Sequence, residues 1–191
     1  MTETAATPPK RRRTGSMERR VREMIRVDHA GEFGATVIYA GQRAVFSRLA
    51  NGRAMSQRLA RQEADEVAHK QAFDALVAER GVRPTLLGPL WGVAGFGLGV
   101  ATALMGEKAA HACTVAVEEV IEQHYADQEA ELEAAGAEPE LRGLIARFRA
   151  EEVAHKDEAL AEGAREAPAY ELLTGLIKAG CRLAIATSSR L

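Results

Sequence analysis

The chain has 191 residues and 47% hydrophobic content, enough to bury a real core, and no break in composition divides it in two. A formal charge of −2 at pH 7 excludes the basic footprint of a nucleic-acid binder. Cys113 and Cys181 are single cysteines without CxxC spacing, which excludes a disulfide framework and a zinc knuckle and fits a reducing compartment. Alanine, leucine, glutamate and arginine dominate, aromatic residues make up 5%, and β-branched runs are scarce, so the expected fold class is all-α.

Residues 1–17 read as a disordered basic tail and residues 18–191 as a single domain. The tail has adjacent prolines, almost no apolar content and a basic run from Lys10 to Arg13. It lacks the apolar centre of a secretory signal and the amphipathic pattern of a transit peptide. It reads as a solvated segment, or else as a loose tether to anionic lipid.

The first helix is expected from about Glu18 to Leu49, where Asn51 and Gly52 stop it. It contains RVDHAGEFGA, residues 26–35. Glu32 and Tyr39 share one stripe but stand about 10 Å apart along the axis, which makes Tyr39 a neighbour of any site at Glu32 and no ligand. Gly31, Gly34 and Gly41 are costly inside a helix and predict close approach of another backbone or a bound group. His29 is read as a hydrogen-bonding histidine outside any metal shell.

The second helix, about Ala54 to Arg80, ends at Gly81 and Pro84. It carries Glu66 and His69 at i and i+3, one carboxylate and one imidazole on the same face. Glu63 is read as solvated. From Arg83 to Glu107 no charged residue intervenes, long enough for a membrane span. A single crossing there would put the two halves of the chain on opposite sides of the bilayer. The stretch 84–106 is therefore read as a kinked apolar element in the membrane interface or the wall of an apolar pocket, or else as a buried connector.

The third ligand-bearing helix runs from about Glu107 to Ala135, with Gly136 as its stop, and contains ACTVAVEEVIEQHYADQ, residues 112–128. Glu118 and Glu119 compete for one role. His124 is read as hydrogen-bonding beyond the metal. The next helix starts near Pro139 and carries Glu152 and His155 before fading near Gly163. A last helix, Pro168 to about Thr187, sets a polar stripe of Glu171, Thr174, Lys178 and Arg182 against Leu172, Leu173, Leu176, Ile177, Leu183 and Ala184. That wide apolar arc suits an interfacial helix, or packing against the rest of the chain.

The phrase Glu-Val-Ala-His-Lys occurs twice, at 66–70 and 152–156, 86 residues apart. The same offset aligns Glu32 with Glu118, Tyr39 with Tyr125 and Gln42 with Gln128. The chain is thus a duplicated two-helix unit, each copy supplying one glutamate and, 34 residues on, one Glu-x-x-His. The register selects Glu118 over Glu119, because only Glu118 keeps the spacing to its tyrosine. Asp65 and Glu151 precede the ligand pairs. They are candidates to hold the opposite half's histidine, or else ordinary surface acids. Glu32, Glu66, His69, Glu118, Glu152 and His155 together make the four-carboxylate, two-imidazole recipe of di-iron and di-manganese helical proteins. With no thiolate in the set, iron or manganese is favoured over zinc and copper(I), and such a pair can activate O₂.

RVDHAGEFGA, IYAGQ (38–42), ACTVAVEE (112–119), the two Glu-x-x-His pairs, APAY (167–170) and AGCR (179–182) together resemble the demethoxyubiquinone hydroxylase family of ubiquinone biosynthesis, over residues 19–191. The resemblance implies a ferritin-like four-helix bundle with two iron ions per chain, plus two apolar membrane-associated helices. It implies an O₂-dependent monooxygenase that hydroxylates 2-polyprenyl-3-methyl-6-methoxy-1,4-benzoquinol. It places the enzyme peripherally on the inner membrane, on the cytoplasmic face in a bacterium or the matrix face in a mitochondrion, with a lipid-binding accessory protein and an oligomer as possible partners. The family's ligands fall on the same six residues that the repeat selects. An iron-storage or ferroxidase protein and a metal-free quinone or lipid carrier are the alternative readings.

Overall fold

A computed structural model describes residues 11–190 as six α-helices and one 3₁₀ turn, with no strand among the described residues. The helices are α1 (Arg11–Phe46), α2 (Arg53–Arg80), α3 (Gly88–Leu104), α4 (Glu107–Ala135), α5 (Pro139–Ala161) and α6 (Tyr170–Ser188), with the turn at Ala164–Glu166. The stops are those the sequence carries: Gly81 and Gly136 close α2 and α4 in the left-handed region, at φ 57° and 59°, and Pro139 opens α5.

Some boundaries differ. Helix α1 begins at Arg11, so residues 11–17 of the expected tail continue the helix, as arginine's good helix propensity permits; residues 1–10 lie outside the described residues. Helix α6 starts at Tyr170, two residues after Pro168, because Ala169 takes a positive φ of 49°. Helix α3 is one continuous helix of 17 residues.

Two apolar plugs fix the relative directions of the helices. One joins Val21 and Ile25 of α1, Phe73 of α2, Leu132 of α4 and Ile145 and Phe148 of α5. The other joins Tyr39 and Phe46 of α1, Met55 and Leu59 of α2, Ala103 of α3 and Ala110 of α4. Read along each chain segment, α1 and α5 run one way, and α2 and α4 the other. Each large side chain in these plugs contributes roughly 1.5–3 kcal/mol by leaving water. Between the plugs lies a polar layer.

Helix α3 lies along α1 and α6 along α4. The α1–α3 contact depends on glycine: a Cβ at Gly41 would run into the backbone carbonyl of Phe96, and one at Gly99 into that of Ile38. Of the three glycines expected to allow close approach, Gly41 does so through its own missing Cβ, and the Gly34 carbonyl lies against α3, 3.3 Å from where a Cβ at Gly95 would stand. A Cβ at Gly31 or Gly34 would meet nothing within 4 Å.

Helices α3 and α6 leave large apolar side chains in the open. Leu90, Val93 and Phe96, with Leu86 just before them, are exposed, and so are Leu172, Leu176 and Leu183. No helix among the described residues is long and apolar enough to cross a membrane. The expected polar stripe of α6 does not all face solvent. Thr174 is buried, its hydroxyl turned back to the Tyr170 carbonyl at 2.8 Å, and Lys178 reaches Glu119 at 2.5 Å.

Candidate metal centre

Four helices each send one or two of the six candidate ligands into the polar layer: Glu32 from α1, Glu66 and His69 from α2, Glu118 from α4, Glu152 and His155 from α5. The four carboxylates are at most 1% exposed, His69 is 1% and His155 8%. Two groups of possible ligand atoms form, each with all atoms within 4.8 Å of one another: Glu32, Glu66, His69 and Glu152 in one, and Glu66, Glu118, Glu152 and His155 in the other. Glu66 and Glu152 belong to both. The two groups therefore share a pair of carboxylates and differ by one glutamate and one histidine each, which mirrors the sequence repeat.

The surroundings cross over between the repeats. Tyr39 of the first half donates its hydroxyl to Glu118 Oε1 of the second at 2.6 Å, and Tyr125 of the second donates to Glu32 Oε1 of the first. Burial, reinforced by the neighbouring carboxylates, raises both phenols well above their ordinary pKa, so they remain donors. His69 Nε2 lies 2.5 Å from Glu151 Oε2, and His155 Nε2 lies 3.3 Å from Asp65 Oδ2. The acids before each ligand pair thus serve the opposite half's imidazole. This leaves Nδ1 of each ring turned inward: His69 Nδ1 is 3.1 Å from Glu152 Oε1, and His155 Nδ1 is 3.3 Å from Glu66 Oε1.

Neighbours of the six fall as follows. Glu119 is exposed and paired with Lys178, outside the layer. His29 Nε2 binds Asp74 Oδ1 at 2.8 Å, and His124 Nε2 lies 3.2 Å from Asp28 Oδ1, both away from the ligand groups. Glu63, expected to be solvated, instead pairs with Arg43 at 2.6 and 3.1 Å, joining α1 to α2. Two residues carried no signal on their own. Phe148 stacks on His69 with ring centroids 4.0 Å apart, and Asp28 is buried one turn before Glu32. Only the aspartate could have been found, as the buried acid in the repeat position that Thr114 fills in the other half.

The donor set fits a pair of divalent ions. Glu66 and Glu152 each have both carboxylate oxygens buried without a hydrogen-bond partner, and Glu32 Oε2, Glu118 Oε2 and both inward Nδ1 atoms are in the same state. Leaving buried polar atoms unpaired costs about 1–3 kcal/mol each, and more for charges, so this much deficit in one layer calls for a cation. Burial and the repulsion of the other carboxylates push Glu66 and Glu118 well above the ordinary carboxylate range. Oxygen and nitrogen donors without sulfur suit iron or manganese.

In the metal-free protein the imidazoles must supply the counter-charge. Burial alone would lower His69, but the Glu152 and Glu32 carboxylates beside its Nδ1, at 3.1 and 3.4 Å, outweigh it and push it to about 11. His155 rises against burial to about 9, chiefly through Glu152 and Glu118. A metal needs neutral imidazoles, so its binding must expel these protons. The sign follows: at pH 7 both rings are still protonated without metal, and affinity should keep rising with pH toward 9. Calorimetry in buffers of different ionisation heat should find at least the protons of His69 and His155 released per chain. Binding without proton release would contradict the assignment.

The chain matches the family described as ubiquinone biosynthesis protein COQ7 over residues 19–188. It is 53% identical over 167 residues to a protein of Rhodospirillum rubrum named 3-demethoxyubiquinol 3-hydroxylase, covering 87% of this chain and 76% of that one. It is 50% identical over 173 residues to the human protein named NADPH-dependent 3-demethoxyubiquinone 3-hydroxylase, mitochondrial, covering 90% and 78%. The yeast protein named 5-demethoxyubiquinone hydroxylase, mitochondrial, is 38% identical over 182 residues, covering 88% and 77%.

Proposed function

The chain belongs to the ubiquinone biosynthesis protein COQ7 family and is a hydroxylating monooxygenase, and from that premise we propose that residues 18–191 form one ferritin-like four-helix bundle whose six buried ligands would hold two iron ions, and that the enzyme hydroxylates the ring of demethoxyubiquinol with O₂. The observation that carries the reading is the pair of overlapping buried ligand groups sharing Glu66 and Glu152. When bound, the iron pair supplies the two-electron activation of O₂ that no side chain can perform.

The chain's own residues set the conditions. Glu66 and Glu152 would contribute to both ion positions, Glu32 with His69 to one and Glu118 with His155 to the other. Tyr125 and Tyr39 orient the end carboxylates through their hydroxyls, and Glu151 and Asp65 fix which imidazole nitrogen faces inward. The apolar plugs above and below keep bulk water from the layer.

The polyprenyl tail of the substrate stays in the bilayer, so the protein goes to it. The exposed leucines of α3 and α6 give it an interfacial face without a crossing helix. This supports peripheral binding to the inner membrane, cytoplasmic in a bacterium or on the matrix side in a mitochondrion. A lipid-binding accessory protein would use the same face to hand over the quinol.

Incubating the iron-loaded protein with O₂ and a short-tailed demethoxyquinol tests the reading. The expected result is the hydroxylated quinol, formed mole for mole with the O₂ consumed. Iron oxidation and mineral accumulation without a hydroxylated product would point to a ferroxidase instead.

A further inference from the structure

The repeat makes the two ion positions look equivalent, yet their outer walls differ. Position 148 in the second half holds phenylalanine, and its repeat partner, 62 in the first half, holds glutamine. Phe148 stacks on His69, with ring centroids 4.0 Å apart, and meets Phe73 of the apolar plug edge-on at 5.8 Å. The Arg147 guanidinium lies over the Phe148 ring, 5.0 Å from its centroid. The His69 ring therefore turns outward only if Phe148 leaves its place in the core.

His155 has no such cover. Gln62 is directed to Glu158, its amide nitrogen 3.2 Å from Oε2, and among the described residues the aromatic ring that meets His155 is Tyr39, edge-on at 6.4 Å. His155 keeps 10% of its side chain exposed, against 2% for His69. Its surface anchor is also looser: Asp65 lies 3.3 Å from His155 Nε2, whereas Glu151 lies 2.5 Å from His69 Nε2.

Both imidazoles stand at the seam between α2 and α5, because each ring on one of these helices meets a carboxylate on the other. The other ways out of the layer are shut. The apolar plugs close its two ends, α1 packs on α2 and α4 on α5, and α3 and α6 cover α1 and α4. Under α6 the wall is Ile38, Cys113, Ala116, Val117 and Ile177, where an ion would lose its hydration with nothing in return. The α2–α5 seam is bridged by long side chains, Arg58 to Glu158 and Glu162 and Arg80 to Glu138, and carries the exposed acids Asp65 and Glu151 at its surface.

We propose that the α2–α5 seam is the metal port of the centre. The position formed with Glu118 and His155 exchanges its ion with solvent past His155, and the position formed with Glu32 and His69 keeps its ion behind Phe148. The proposal rests on the two-iron reading. The port lies across the bundle from the exposed leucines of α3 and α6, so iron reaches the centre while that apolar face is occupied by a membrane.

The test follows iron release from the full-length ferrous protein, without O₂, into an excess of a coloured chelator. Wild type should give up one iron per chain in a fast phase and the second about tenfold more slowly, the order of effect expected of one aromatic stack. Phe148→Ala should speed the slow phase, and Gln62→Phe, which adds the ring that the first half lacks, should slow the fast one. Two ligand variants assign the phases: Glu118→Ala should hold one iron that leaves slowly, and Glu32→Ala one iron that leaves fast. Where Phe148→Ala folds poorly, Gln62→Phe and the ligand variants still decide. Two irons leaving wild type in a single phase, fast release from Glu118→Ala, or an unchanged fast phase in Gln62→Phe would each overturn the port. A wild-type chain that takes up fewer than two irons would instead overturn the reading beneath it.

Discussion

Glu152→Ala should strip the protein of both iron ions and abolish hydroxylation, whereas Glu32→Ala should remove about one. The difference comes from sharing. Glu152 belongs to both ligand groups and sits at 0% exposure with both oxygens unpaired, while Glu32 belongs to one. Deleting a shared carboxylate leaves each ion short by one donor and the layer short of one negative charge, which weakens both positions together. Glu119→Ala is the control, because Glu119 points to Lys178 on the outside and its loss should leave iron content unchanged. Iron content by elemental analysis, measured on the three variants side by side, decides the matter. Equal iron loss from Glu32→Ala and Glu152→Ala would mean that the two groups do not share ligands as described.

Substrate delivery should separate cleanly from chemistry. Leu176 is 65% exposed on the apolar face of α6, away from the ligands. A charge placed there, Leu176→Asp, should weaken interfacial binding by on the order of 2 kcal/mol, roughly thirtyfold in partitioning. Iron content should not change. The variant should fail with long-tailed quinol in vesicles and still oxidise a short-tailed analogue in solution. His155→Ala, which removes a metal ligand, should fail with both. If Leu176→Asp lost both activities while keeping its iron, α6 would shape the reaction pocket itself.

The repeat made much of this site readable before any coordinates. An offset of 86 residues is a local, countable signal, and it brings out the six residues that the structure gathers in one layer. It also pointed to Asp65 and Glu151, since an acid before each ligand pair has few other ways to reach a buried imidazole. Helix ends were legible where glycine or proline enforces them, at Gly81, Gly136 and Pro139, and less so at Arg11, where arginines extend a helix without a marked start.

What stayed hidden depends on contacts between distant segments. Nothing in the local pattern says that Glu63 meets Arg43, that Phe148 stacks on His69, or that Thr174 turns inward with its hydroxyl satisfied by its own helix. Gly31 and Gly34 show the converse. Their cost in a helix suggested a close neighbour, yet a Cβ added at either would meet nothing within 4 Å, and only the Gly34 carbonyl comes near α3, at Gly95. Asp28 lay between these cases. Its repeat partner Thr114 could have marked it as an exception, but its burial and its contact with His124 became visible only once α1 and α4 were placed together.

The most direct measurement is aerobic turnover of the iron-loaded protein with demethoxyubiquinol under ¹⁸O₂, with mass spectrometry of the product ring. One labelled oxygen atom per product molecule, absent without iron and absent from Glu152→Ala, is the result expected of a buried iron pair that activates O₂ beside the quinol. A product carrying oxygen from water, or a labelled product formed equally well without iron, would contradict it.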